Sequence, residues 1–155
     1  MAGPPGSQGP PGLTGATGAQ GPAGASAKSQ GWTKQFNSAA ITSVTTDVLA
    51  QHVSGSAGYM VNAKVGAPFA NGNKQVSCNL IAVENNVATT IDTSETLLLG
   101  SSTTTAKGVL ALSGQYVPTG GATAGVDILL GCATGGDTRT LTRGSLSVIG
   151  ADSVH

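Results

Sequence analysis

Few side chains in this sequence are of the kinds that carry acid–base, nucleophilic or metal chemistry. Their spacing limits what they can do. There are two histidines, His52 and His155, and the second is the last residue. His52, in the stretch AQHVSG, is the candidate general base, because imidazole changes charge near neutral pH. A lone His beside a loop is more often just a solvated side chain, and it reads as one here. Asp92 and Glu95, in DTSE, are the acidic residues closest together. A hard cation takes several oxygens, and two carboxylates in a Thr/Ser-rich turn read instead as a solvated loop. Cys78 and Cys132 are far apart, with no paired histidines to complete a zinc set. There is no G-x-S-x-G elbow, no P-loop, no G-x-G-x-x-G after a strand, no H-E-x-x-H and no N-x-[ST] sequon. The expectation is a chain without catalysis, cofactor or metal.

The elements around these residues explain more than the residues themselves. Past Gly31 there is no sustained helical period. Short apolar or alternating runs recur instead, separated by Gly, Asn, Ser and Thr clusters. They are AAITSVTTDVL, YMVNAKV, KQVSCNLIAV, NVATTI, ETLLL, KGVLALSGQYV, GVDILLGCA and RTLTRGSLSVIGADSV. In YMVNAKV the alternation puts Tyr59, Val61, Ala63 and Val65 on one face. ANGN, ENN, PTGG and TGGD supply turn chemistry between runs. Eight or nine short strands rich in Thr and Val predict a two-sheet antiparallel sandwich, most simply a jelly roll. SCNLIAV, GVLAL and DILLG are apolar on both faces, which predicts that an outer face packs against another subunit. Cys78 shares a face with Val76 and Leu80, and Cys132 with Val126, Ile128 and Leu130. A disulfide between neighbouring strands and two buried thiols both fit that placement.

Composition excludes several partners. Seven basic residues balance seven acidic ones. Lys28, Lys34, Lys64, Lys74, Lys107, Arg139 and Arg143 are dispersed, with no basic stripe for a nucleic acid. No apolar run approaches the ~20 residues that span a bilayer, so no membrane insertion is expected. The first residues have neither a charged nor an apolar region of the secretory kind, and the sequence predicts no signal peptide.

Ahead of the strands lies MAGPPGSQGPPGLTGATGAQGPAGAS. Gly3, Gly6, Gly9, Gly12, Gly15, Gly18, Gly21 and Gly24 keep a three-residue period, with prolines between them. Three polyproline-II chains wind together only where every third residue lacks a side chain, because nothing larger fits at the axis. A flexible Gly-rich linker has no reason to keep that register. The tract resembles collagen-like repeats, with Thr14 and Thr17 at Y positions as in bacterial and viral ones. It implies a triple-helical stalk of roughly 70 Å, at ~3 Å per residue. So short a stalk, without inter-chain charge pairs, needs a downstream clamp.

A collagen-like stalk running through SAKSQGWTKQF into a compact β head resembles the complement/tumour-necrosis-factor-like jelly-roll family. VSCNLIAV, VDILLGCA and SLSVIGADSV carry that likeness in the head. It implies a head that trimerises and nucleates the stalk. The expected organisation is a stalk over 1–27, a neck over 28–37 and a jelly-roll head over 38–155. Trp32 and Phe36, four apart, are expected to form one turn packed between stalk and head.

The resulting expectation is a homotrimeric structural protein: a bacteriophage fibre, spike or decoration component in the virion. Its partners would be itself, a host receptor or glycan, and other virion proteins. A bacterial cell- or spore-surface adhesive protein and a ligand-binding or hydrolytic jelly-roll module are the alternatives. Contacts are expected from the loops APFANGN and VPTGGATAG at the head's far end, multiplied by three-fold display.

Overall fold

The structure is a computed structural model that describes residues 1–9, 30–69, 74–98 and 106–151. Those described residues hold eight strands and no helix. The strands are β1 (Gln30–Ile41), β2 (Thr46–Val53), β3 (Gly58–Phe69), β4 (Lys74–Glu84), β5 (Val87–Leu98), β6 (Ala106–Tyr116), β7 (Val126–Thr134) and β8 (Arg139–Ala151). β1 pairs with β8, β2 with β7, β3 with β6 and β4 with β5, all antiparallel. Each pair of numbers sums to nine, so the chain is one long eight-strand hairpin. Rolling that hairpin brings β8 beside β3 and β7 beside β4. The result is two sheets, ordered β1-β8-β3-β6 and β2-β7-β4-β5. This is a jelly roll.

Alternation builds the core. Tyr59, Val61, Ala63, Val65 and Ala67 of β3 point inward with Leu110, Leu112, Leu146 and Val148 of its neighbours. Val76, Cys78, Leu80, Ala82, Val126, Ile128, Leu130 and Cys132 face them from the other sheet. Each Val, Leu or Ile buried this way contributes about 1.5–3 kcal/mol relative to exposure. Ile81, Val83 and Leu129 are only half-buried on the outward side of their sheet, and Val109 of β6 is exposed.

Three boundaries differ from the sequence expectation. Residues 30–37, assigned to a neck, are the first part of β1, so Trp32 and Phe36 lie on one side of a strand and form no turn. AAITSVTTDVL is not one strand: a bend at 42–45 separates β1 from β2 and carries the chain between sheets. NVATTI and ETLLL are one strand, β5, whose register against β4 shifts between Leu80 and Ile81. The glycines Gly12, Gly15, Gly18, Gly21 and Gly24 lie outside the described residues, while Gly3, Gly6 and Gly9 sit in exposed, irregular chain.

The register also sorts the connections by end. Gln30 stands opposite Gly150, Gly150 opposite Tyr59, and Tyr59 opposite Tyr116. The chain therefore enters β1 at the end that holds the β6–β7 loop, residues 117–125. Phe69 stands opposite Ala106 at the other end. APFANGN, whose residues 70–73 lie outside the described set, and VPTGGATAG thus belong to opposite ends of the β3–β6 ladder. The expectation that both crown the far end is corrected: VPTGGATAG lies at the end where the chain enters.

Candidate functional site

The entry end is organised by Glu84, the last residue of β4, which is almost fully buried. Its Oε2 accepts from the Tyr116 hydroxyl at 2.8 Å, the Thr119 N–H at 2.9 Å and the Thr119 hydroxyl at 3.0 Å. Its Oε1 accepts from the Gly120 N–H at 2.7 Å. The backbone N–H groups of Thr119 and Gly120, then the Tyr116 hydroxyl, hold the Glu84 carboxyl down to about 2. Tyr116 is pushed up by burial first, then by its hydrogen bond to Glu84 and the Glu84 charge. Sequence reasoning placed Glu84 in a turn. Its partners come from the end of β6 and the loop after it, 32 to 36 residues downstream, so no local pattern marks it.

The remaining polar candidates are structural ties. His52 is the penultimate residue of β2, beside the following loop as expected, and its Nδ1 is 2.7 Å from Asp127 Oδ1 on β7. Both are well exposed on the outward side, and among the described residues no hydroxyl is hydrogen-bonded to the imidazole. Asp92 accepts backbone N–H bonds from Thr93 at 2.8 Å and Ser113 at 2.9 Å, so it links β5 to β6 across the sandwich edge. Glu95 accepts from Gln75 Nε2 at 3.2 Å. At the other edge Lys34 donates to the Ala50 carbonyl at 2.7 Å, joining β1 to β2. Among the described residues, no group of three His, Cys, Asp or Glu converges on a metal-sized space.

Trp32 and Phe36 pack inward at the rim of the core. The Trp32 ring meets Tyr59 edge-on, with centroids 6.0 Å apart. Gly150 and Gly144 on β8 make room for them: a Cβ at Gly144 would collide with the Phe36 ring, and one at Gly150 would collide with Ser56 and crowd Trp32 at 3.2 Å. Cys78 and Cys132 are direct partners in the β4–β7 register and are joined by a disulfide.

The outward face of the β1-β8-β3-β6 sheet holds the concave surface. A bulge shifts β8 by one residue against β3 between Val65 and Gly66. It leaves Thr142 and Arg143 both exposed, with Arg143 in the left-handed region at φ 54°. A β-branched or long side chain pays about 1–2 kcal/mol for that conformation. Around the bulge lies a concavity of about 750 Å³ lined by Asn37, Lys64, Pro68, Val109, Thr142 and Arg143. Its floor includes Gly66, where a Cβ would collide with the Thr142 carbonyl oxygen. A smaller hollow of about 270 Å³ shares Asn37, Lys64 and Arg143 and continues to Gln35 and Ser145. No carboxylate lines either hollow. The larger one sits toward the end away from Gln30, since Gly66 and Thr142 lie near the Phe69 and Arg139 ends of their strands.

No family model matches the sequence, and no curated protein matches it. Solved structures do match in fold. A mutant VP2 protein of infectious bursal disease virus, in derived T=1 particles, is 16% identical over 83% of this chain, with a TM-score of 0.52. The structure of the Gx strain of that virus aligns over the same share at 11% identity and a TM-score of 0.50. The chain spans about a third of the length of these structures, 32% and 34%. At such identities the likeness is one of fold alone.

Proposed function

We propose that this chain is a non-enzymatic structural protein of a virion: a homotrimeric fibre, spike or decoration component whose jelly-roll head is displayed on a collagen-like stalk. The observation that carries the reading is the joining of two modules. An uncharged Gly-X-Y tract of eight triplets precedes a jelly roll that the chain enters at one end, opposite the concavity at Arg143. The fold's likeness to a viral VP2 protein seen in T=1 particles supports a particle component. A stalk this short and without ion pairs needs a head that holds three chains in register. Three copies of a weak contact at the distal end then act together, so avidity exceeds single-site affinity.

Two measurements test this. Sedimentation equilibrium on the full chain and on residues 28–155 should give trimers in both; monomers in both overturn the stalk-and-clamp account. Antiserum against the head should label purified particles in electron micrographs. Label confined to the bacterial surface would transfer the same architecture to a cell-surface adhesive protein.

A further inference from the structure

We propose that the concavity at Arg143 is a recognition site for an acidic sugar, one whose negative charge is a carboxylate. It deepens the attachment reading above by naming the ligand class of the distal surface.

The backbone at Arg143 is the first reason. Glycine would occupy φ 54° without cost, yet the position carries arginine. Residues held in sparsely populated conformations cluster at active sites and ligand clamps. Here the bulge turns two successive residues, Thr142 and Arg143, to the same outward face. Charge is the second. Lys64 and Arg143 are exposed on that face and have no ion-pair partner among the described residues. The acidic residues with described side chains lie elsewhere: Asp47, Asp92, Glu95 and Asp127 on the β2-β7-β4-β5 sheet, Glu84 in its clasp and Asp137 beside Arg139. A planar guanidinium matches a carboxylate with two parallel hydrogen bonds, and Lys64 adds a point charge beside it.

Shape and polarity supply the rest. A volume of about 750 Å³ lies in the range of small-molecule sites. Asn37 and Thr142 offer an amide and a hydroxyl for sugar hydroxyls, while Pro68 and Val109 offer apolar surface for ring C–H groups. The open, cation-bearing hollow has no nucleophile–base pair, so it binds without transforming its ligand. Single-site affinity on the order of 1 mM would suffice under three-fold display.

The test is an NMR titration of the ¹⁵N-labelled full chain with 3′-sialyllactose, digalacturonic acid, neutral lactose and a sulfated disaccharide. At least one carboxylated sugar should shift the amides of Gly66, Gly108, Thr142 and Arg143, and lactose should leave them unmoved. Arg143→Gly relieves the left-handed backbone, so its melting temperature should not fall, yet its affinity should drop about tenfold or more. Lys64→Gln should weaken binding in the same direction. Binding that survives Arg143→Gly, equal binding of lactose, or preference for the sulfated sugar over both carboxylated ones overturns the proposal. So does the absence of any shift at these amides, the result expected if a second copy covers this face. Sugar binding at one head does not require the trimer, so this result and the sedimentation result can fail separately.

Discussion

The Gly120 N–H donates to Glu84 Oε1 at 2.7 Å, tying the end of β4 to a loop 36 residues later in the sequence. Folding lowers the Glu84 pKa from 4.5 to about 2. A depressed carboxylate contributes stability that is fully present above its unfolded value and is lost as pH falls through its folded value. The contribution should therefore be complete above about pH 5 and fade toward pH 2. Glu84→Gln should melt lower than the parent at pH 6, and the gap should close as the pH approaches 2. Thr119 and Gly120 amides should exchange faster in the variant. A pH-independent gap would show that the carboxylate charge is not what holds the loop.

Gly144→Ala should destabilise the head by ~1–3 kcal/mol, because the added methyl lands on the Phe36 ring in a packed site. Combining it with Phe36→Leu should recover part of the loss, since contacting residues are non-additive. Chemical denaturation of the two single variants and the double variant measures the coupling.

The Cys78–Cys132 disulfide closes a sequence separation of 54. Chain-entropy arguments put its contribution at about 4 kcal/mol, an upper figure if the unfolded chain is compact. Cys78→Ala/Cys132→Ala should unfold at clearly lower denaturant. A midpoint equal to the parent's would show that the bond is absent from the protein as prepared.

In the proposed stalk, Gly12→Arg should abolish the triple-helical circular-dichroism signal, because nothing larger than hydrogen fits the axis. The heads should remain trimeric by sedimentation. Heads that separate as well would show that the stalk holds them, reversing the proposed dependence.

How much of this was legible in the sequence follows from where each residue's partners lie. The inward faces of β3, β4 and β7 were legible because every second residue from Tyr59 to Val65, Val76 to Leu80 and Val126 to Cys132 is apolar. β1 was not. As an edge strand it buries little more than Trp32, Phe36, Ala39 and Ile41 on one side, too sparse a pattern to outweigh its polar residues. β5 was split in two by Asp92, which a strand admits here because its carboxylate accepts the Ser113 N–H across the edge. Glu84, Arg143 and the separation of the two loops onto opposite ends depend on pairings between distant strands. No local signal encodes them.

The entry of the chain at Gln30 has a mechanical consequence. β1 receives any tension from the preceding residues, while Arg143 on β8 lies further along the same ladder, across from Asn37. If the head grips at Arg143 and is pulled at Gln30, the force runs along the strands, and the β1–β8 rungs between these points resist together in shear. Pulling the two ends of the domain apart is different: Gln30 and Gly150 are neighbours, and the rungs would peel singly from that pair. A head that held its target at the entry end would leave this ladder outside the path of the load.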